Sequence, residues 1–208
     1  MRNKRTALFS LTLVFVILLS LTVSAFLPGE ELEETTRSVA AVIDQSSPGK
    51  PVEVMCDLTG ITVTVSADAL PENITSVFFQ TMTLVKEFEQ AAINTITSAV
   101  TAAVASPATA KVSRQSQQIV KNYNIAPVSV LAINLVGRSS NGKTQNITVL
   151  KKPIEITVPV PRGVNGVAYI HPTTKELVIL EGRVRNGFMT FTKDILGVEL
   201  ILVSLTKK

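Results

Sequence analysis

The sequence predicts a mainly β fold, an immunoglobulin-like β-sandwich with an inserted helical segment, and three observations carry that expectation. Ile61-Thr62-Val63-Thr64-Val65 alternates apolar and hydroxyl residues at period two, the pattern of a strand with one buried face. Glycine, proline and asparagine turn signals recur at short intervals in the C-terminal half and cut it into short strands. Between residues 85 and 122 alone, the apolar spacing changes to three- and four-residue steps. An α+β arrangement is the alternative reading of the same pattern.

The chain opens with Arg2-Asn3-Lys4-Arg5, an apolar run from Ala7 to Val23, and the small residues of Val23-Ser24-Ala25. That order is the build of a secretory signal peptide over residues 1–25, with cleavage expected at the Ala25–Phe26 bond. Thr6 to Leu27 is also uncharged, and at about 1.5 Å per residue it could cross a hydrocarbon core of roughly 30 Å. An uncleaved membrane anchor over residues 6–27 is therefore the alternative, although Ser10, Thr12, Ser20 and Thr22 interrupt it and Pro28-Gly29 follows.

The leader also distorts the bulk charge. Removing Arg2, Lys4 and Arg5 from the 20 Lys+Arg leaves 17 against 16 Asp+Glu, so the net charge falls from +4 to +1. No broad positive field remains, which sets nucleic-acid binding aside. The 183 residues left from 208 suffice for one domain and a tail. Tryptophan is absent and aromatics make up 5%, so the core must rest on Val, Ile, Leu and Ala. Cys56 is the single cysteine, which excludes an internal disulfide and reads as a semi-buried, inert thiol.

Residues 26–54 read as a flexible acidic linker. Glu30, Glu31, Glu33 and Glu34 cluster there, and Ser46-Ser47-Pro48-Gly49 and Pro51 punctuate it. Ser38 to Ile43 could form a short helix or strand within it. The sandwich domain is expected over residues 55–208. After the strand at Ile61–Val65, Asp68-Ala69-Leu70-Pro71 makes a turn and Ile74 to Leu84 a second strand. Val85, Phe88, Ala92, Ile96, Ala99 and Ala103 then line one face of a helix that Pro107 ends. Ser113 to Asn122 forms a second helix with Ile119 and Val120 inward. This insertion, about residues 85–122, lies across the sandwich or closes an open edge.

Val128 to Val136 is the next strand, and Ser139-Ser140-Asn141-Gly142 the hairpin turn after it. Gln145 to Leu150 returns, Pro153 breaks the run, and Ile154 to Val158 follows. Pro159 and Pro161 cannot donate ladder bonds, so that strand should end at an edge. Val167–Ile170, Leu177–Leu180, Phe188–Phe191 and Val198–Leu205 complete the set, with Thr173-Thr174-Lys175 and Arg185-Asn186-Gly187 as turns.

The succession Ile154-Glu155-Ile156-Thr157-Val158-Pro159-Val160-Pro161, Gly163, Val167-Ala168-Tyr169-Ile170, Glu181 and Gly187-Phe188-Met189-Thr190-Phe191 resembles the C-terminal β-sandwich modules of secreted and cell-surface proteins of Gram-positive, clostridia-like bacteria. Ile61 to Pro71 is similar to their opening strands, so the likeness spans residues 57–203 with gaps. The His-Phe-Ser-x-Tyr-like strand that commonly closes those modules is missing, since Phe191-Thr192 is followed by Lys193-Asp194-Ile195-Leu196-Gly197. The resemblance implies an extracellular accessory or adhesive module and names no ligand.

No catalytic, cofactor-binding or metal-binding residue is assigned. His171 is the only histidine and sits in a turn-like His171-Pro172-Thr173, with no Gly-x-Ser-x-Gly element to pair with it. A Cys56–His171 dyad has no supporting spacing. Asp57, Asp68, Glu72, Glu87 and Glu89 lie close in sequence without the spacing of a carboxylate pair. Gly182 and Gly187 fall in turns rather than a phosphate-cradling loop. Asn73-Ile74-Thr75 and Asn146-Ile147-Thr148 match the N-glycosylation triplet, which a Gram-positive host would leave unused.

The expected function is that of a non-catalytic exported module, with no cofactor, acting in binding, adhesion or envelope structure through a protein or cell-envelope partner. The alternatives are a small secreted hydrolase or inhibitor whose site is hidden in sequence, and a membrane-anchored ectodomain held by residues 6–27. The expected location is extracellular or on the cell surface.

Overall fold

The computed structural model describes residues 37–44, 49–56, 59–82, 86–106 and 109–208. The expected signal peptide 1–25, its cleavage bond, the alternative anchor 6–27 and the glutamates at 30–34 lie outside those residues. Among the described residues, no helix is long and apolar enough to cross a membrane.

The period-two patterns produce two antiparallel sheets. The seven-stranded sheet runs β1 (Arg37–Val42), β4 (Ile74–Met82), β5 (Tyr123–Ser139), β12 (Glu199–Lys207), β8 (Gly166–Ile170) and β9 (Leu177–Glu181), with short β6 (Thr144–Asn146) also on β5. The five-stranded sheet runs β10 (Arg183–Arg185), β11 (Phe188–Ile195), β7 (Val149–Pro159), β3 (Ile61–Ser66) and β2 (Pro51–Cys56). The helices are α1 (Lys86–Ala105) and α2 (Arg114–Asn122). The chain is mainly β, and its two facing antiparallel sheets are consistent with a β-sandwich.

Strand composition follows from which faces are covered. In β3, Ile61, Val63 and Val65 enter the core between the sheets while Thr62 and Thr64 stay half-buried outside. Strands β8, β9 and β12 are apolar at nearly every position because both of their faces are covered. Val167, Tyr169, Val178, Leu200 and Leu202 turn toward the other sheet. Ala168, Leu177, Ile179, Ile201, Val203 and Leu205 turn the opposite way and meet Ile96, Val100 and Ala103 of α1 and Ile119 and Val120 of α2. A continuous apolar run is what such a doubly covered strand requires. The helices thus form a third layer across the outer face of the larger sheet.

The same segment also seals an edge. Leu177 donates its N–H to Lys111 O at 2.8 Å and accepts from Ser113 N–H at 3.0 Å. Two residues on, Ile179 N–H donates to Ser116 Oγ at 2.7 Å, and that hydroxyl donates to Ile179 O at 3.3 Å. Ser116 is fully buried, and its side chain stands in for a neighbouring strand on the margin of β9. Ser113 caps α2 from its N-terminus, accepting from Ser116 N–H at 3.4 Å. At the other end, Lys208 Nζ donates to Val120 O at 2.9 Å, a cation on the helix's free carbonyls.

Several expectations are corrected. Arg37–Val42, where a short helix or strand was allowed within the expected linker, is a strand, and Pro51–Cys56 is a second one; both lie on the margins of the two sheets. The first pairs with β4 and the second with β3, and in the second Val52 and Val54 alternate with exposed residues despite Pro51 at its start. The apolar stripe of α1 does not include Phe88, which is 60% exposed; the buried stripe is Ile96, Val100 and Ala103.

Strand β5 begins at Tyr123 rather than Val128. Its Pro127 sits beside a bulge, where Ser129 pairs with Leu202 and Pro127 with Val203, leaving Val128 as the extra residue. Pro153 does not break β7. Strand β3 reaches only residues 155–157 of β7, and the β11 register jumps from Ile154 to Val149, so no ladder bond is asked of residue 153. Nor is β7 at an edge: it lies between β11 and β3, and Pro159 is tolerated as its last residue.

Two turns place the smaller sheet. Asn186 and Gly187, at φ of 51° and 80°, form the two-residue connection in which Arg185 faces Phe188. Gly182 carries the chain from β9 in one sheet to β10 in the other. A Cβ there would lie 2.2 Å from Met189 Cγ, so the crossing needs a residue without a side chain.

Candidate functional site

The residues weighed from sequence are dispersed. His171 caps the β8–β9 turn: its backbone N–H donates to Glu176 O at 2.8 Å, and its Nδ1 accepts N–H bonds from Thr173 and Thr174, each at 3.2 Å. Cys56 is completely buried in the core between the sheets, deeper than expected, with Sγ 3.9 Å from Thr81 Oγ1.

Two of the acids brace a turn against β7. Asp68 meets Lys152 at 2.6 Å and also accepts from Ser66 Oγ. The Lys152 ammonium, then the Ser66 hydroxyl, hold the Asp68 carboxyl below its usual value. Glu72 pairs with Lys151 at 3.5 Å, so both acids tie the Ala67–Asn73 stretch to β7. Glu87 and Glu89 lie in the first turn of α1, where its N-terminal dipole favours them. Asp57 is outside the described residues. Among the described residues no group of three His, Cys, Asp or Glu could hold a metal ion.

One chemically unusual residue went unnoticed in the sequence. Lys193 is 2% exposed and points from β11 into the core, its Nζ 2.9 Å from the centroid of the Tyr169 ring. Its ammonium has no hydrogen-bond partner among the described residues. Burial pushes the Lys193 pKa down to about 7, with Asp194 opposing the shift. Burial, then Asp194, pushes the Tyr169 hydroxyl up to about 12. Both changes favour the uncharged forms, while the ring face partly offsets the cost of a charged amine. The signal was present: Met189 and Phe191 face inward, so period two sends residue 193 inward as well.

Among the described residues, a depression of about 320 Å³ is lined by Gln115 and Ile119 of α2, Leu180 and Glu181 of β9, and Thr192 of β11. It begins where the edge seal stops. Leu177 and Ile179 have their outward backbone groups taken, and Glu181 is the next position in the same register. Its lining combines the apolar Ile119 and Leu180 with an amide, a carboxylate and a hydroxyl.

Comparison of the chain with family models, curated proteins and solved structures returns no match.

Proposed function

We propose that the protein is an exported, non-catalytic binding module that meets a protein or cell-envelope partner at the margin of its larger sheet. The observation that carries this reading is the depression beside Glu181, where the helical seal of β9 ends and polar and apolar side chains line a recess of about 320 Å³. The leader-like residues 1–25 support a location beyond the membrane. The immunoglobulin-like character of the sandwich belongs to the same proposal. Its support is the pair of facing antiparallel sheets between which the chain passes repeatedly.

The test has two parts. Cell fractionation with mass spectrometry of the N-terminus should find the protein outside the cytoplasm, beginning at Phe26. Retention of residues 6–27 would make it the anchored ectodomain instead. Binding of purified protein to intact cells of its own host should saturate and weaken at least tenfold in a Gln115→Ala/Glu181→Ala variant. Saturable binding with the same affinity in both proteins would exclude this margin as the contact.

A further inference from the structure

We propose that Asn73 and Asn146 are acceptor sites for N-linked glycans, displayed together on the half of the larger sheet that the helices leave uncovered. The proposal rests on the export reading and replaces the Gram-positive host implied by the resemblance with one that transfers glycans to asparagine on chains that have crossed a membrane.

Both sites have the sequence Asn-Ile-Thr, and the fold uses both isoleucines in the same way. Ile74 and Ile147 are 1% and 2% exposed, and they converge on Gly137. A Cβ on that glycine would lie 2.8 Å from Ile74 Cδ1 and 2.7 Å from Ile147 Cδ1. In both triplets the central isoleucine is buried and the asparagine before it is exposed, and the Thr75 hydroxyl donates to Arg138 O at 3.2 Å near the surface. Asn73, Asn146 and Thr148 are exposed and Thr75 is half-exposed.

The backbone presents each asparagine at an end of structure. Asn73 adopts φ of 66° in the turn before β4, and Asn146 is the final residue of β6, whose only strand partner is β5. Neither carboxamide makes a hydrogen bond among the described residues. The helices pack on β8, β9, β12 and the first half of β5. Asn73 and Asn146 lie instead beside the second half of β5, where Ser140 N–H donates to Asn73 O and Asn146 pairs with Val136. Glycans there would cover the half-buried Phe78 and Val136 on the open face.

The co-reactant is an oligosaccharide linked to a lipid phosphate or pyrophosphate. Asparagine Nδ2 attacks the anomeric carbon and a C–N bond forms. The anomeric C–O bond breaks, its electron pair leaves with the lipid-linked phosphate, and the Nδ2 proton passes to a base of the transferase. The threonine two residues on supplies the hydroxyl that the transferase recognises.

Protein purified from its own host should be fractionated and its intact mass measured for wild type, Asn73→Gln and Thr148→Val. The Thr148→Val variant leaves Asn146 in place. Wild type is expected to exceed the bare polypeptide by two glycans and each variant by one; treatment with a peptide N-glycosidase should leave aspartate at both positions. Exported protein with the leader removed and the mass of the bare chain would overturn the acceptor assignment alone. Occupancy of one site only would overturn the other. Protein confined to the cytoplasm with residues 1–25 still attached would overturn the export reading, and the acceptor assignment with it.

Discussion

Replacing Lys193 by methionine should stabilise the protein, and by an amount that depends on pH in a defined way. The shift from 10.5 to about 7, at about 1.4 kcal/mol per unit, sets an upper bound of about 5 kcal/mol on the cost of holding the ammonium in the core. Tyr169 returns up to about 2 kcal/mol of this through its ring face. Methionine keeps the length and volume of the chain and removes the charge, so we expect a gain of about 2–4 kcal/mol at pH 6. The sign follows from proton counting. Between pH 7 and 10.5 the unfolded chain holds a proton that the folded one does not, so wild-type stability rises with pH across that window. Tyr169 opposes this above pH 10, because its folded pKa of about 12 exceeds its unfolded value. Wild type should therefore gain stability from neutral pH and turn over near pH 10, while the variant stays nearly flat up to that point. Urea unfolding at pH 6, 8 and 9.5 measures both. A variant less stable than wild type at pH 6, or one retaining the full wild-type slope, would refute the reasoning.

Ser116→Ala leaves Ile179 N–H and C=O without partners in a buried margin and should cost about 2–3 kcal/mol, with faster hydrogen exchange at the Ile179 amide; unchanged protection there would dismiss the edge seal. Gly182→Ala should lower stability by about 2 kcal/mol or more, and Met189→Ala should lose much of its own cost in that background. Simple additivity of the two in thermal unfolding would show that the clash is not the cause. Phe88→Ser should change stability by under about 0.5 kcal/mol, and a loss beyond about 1.5 kcal/mol would place Phe88 back in the core.

Local pattern made much of the β architecture legible. Ile61–Val65 revealed its buried face through strict alternation, and Asn186-Gly187 revealed its turn through residues that accept positive φ. Proline signals misled wherever the partner strand's geometry decided the outcome. Pro153 looks like a strand stop, yet it sits where the ladder is already irregular. No rule acting on one segment can see that its partner is out of register. Phe88 was misassigned for a related reason: a periodic stripe fixes a helix face but not how far along the helix the sheet continues beneath it. The apolar run of β12 implied burial without saying that one cover would be helical. At the candidate site, Gln115, Glu181 and Thr192 come from three separate elements and only tertiary structure brings them together. Lys193 was hidden by its own chemistry, since lysine is rarely found wholly buried and the periodic signal was overruled by residue type.

The position of β12 has a consequence for the order in which the molecule can assemble. It is the twelfth strand in chain order, yet it lies between β5 and β8 in the larger sheet. Until it arrives, β1, β4 and β5 have no ladder to β8 and β9, and the inner side of each half lacks its neighbour. A chain emerging with its N-terminus first therefore cannot close this sheet until residues 199–207 have been made. Such a topology folds through distant pairings and so slowly. On the export proposed above, that delay would keep the early segments from locking together before the chain has crossed the membrane.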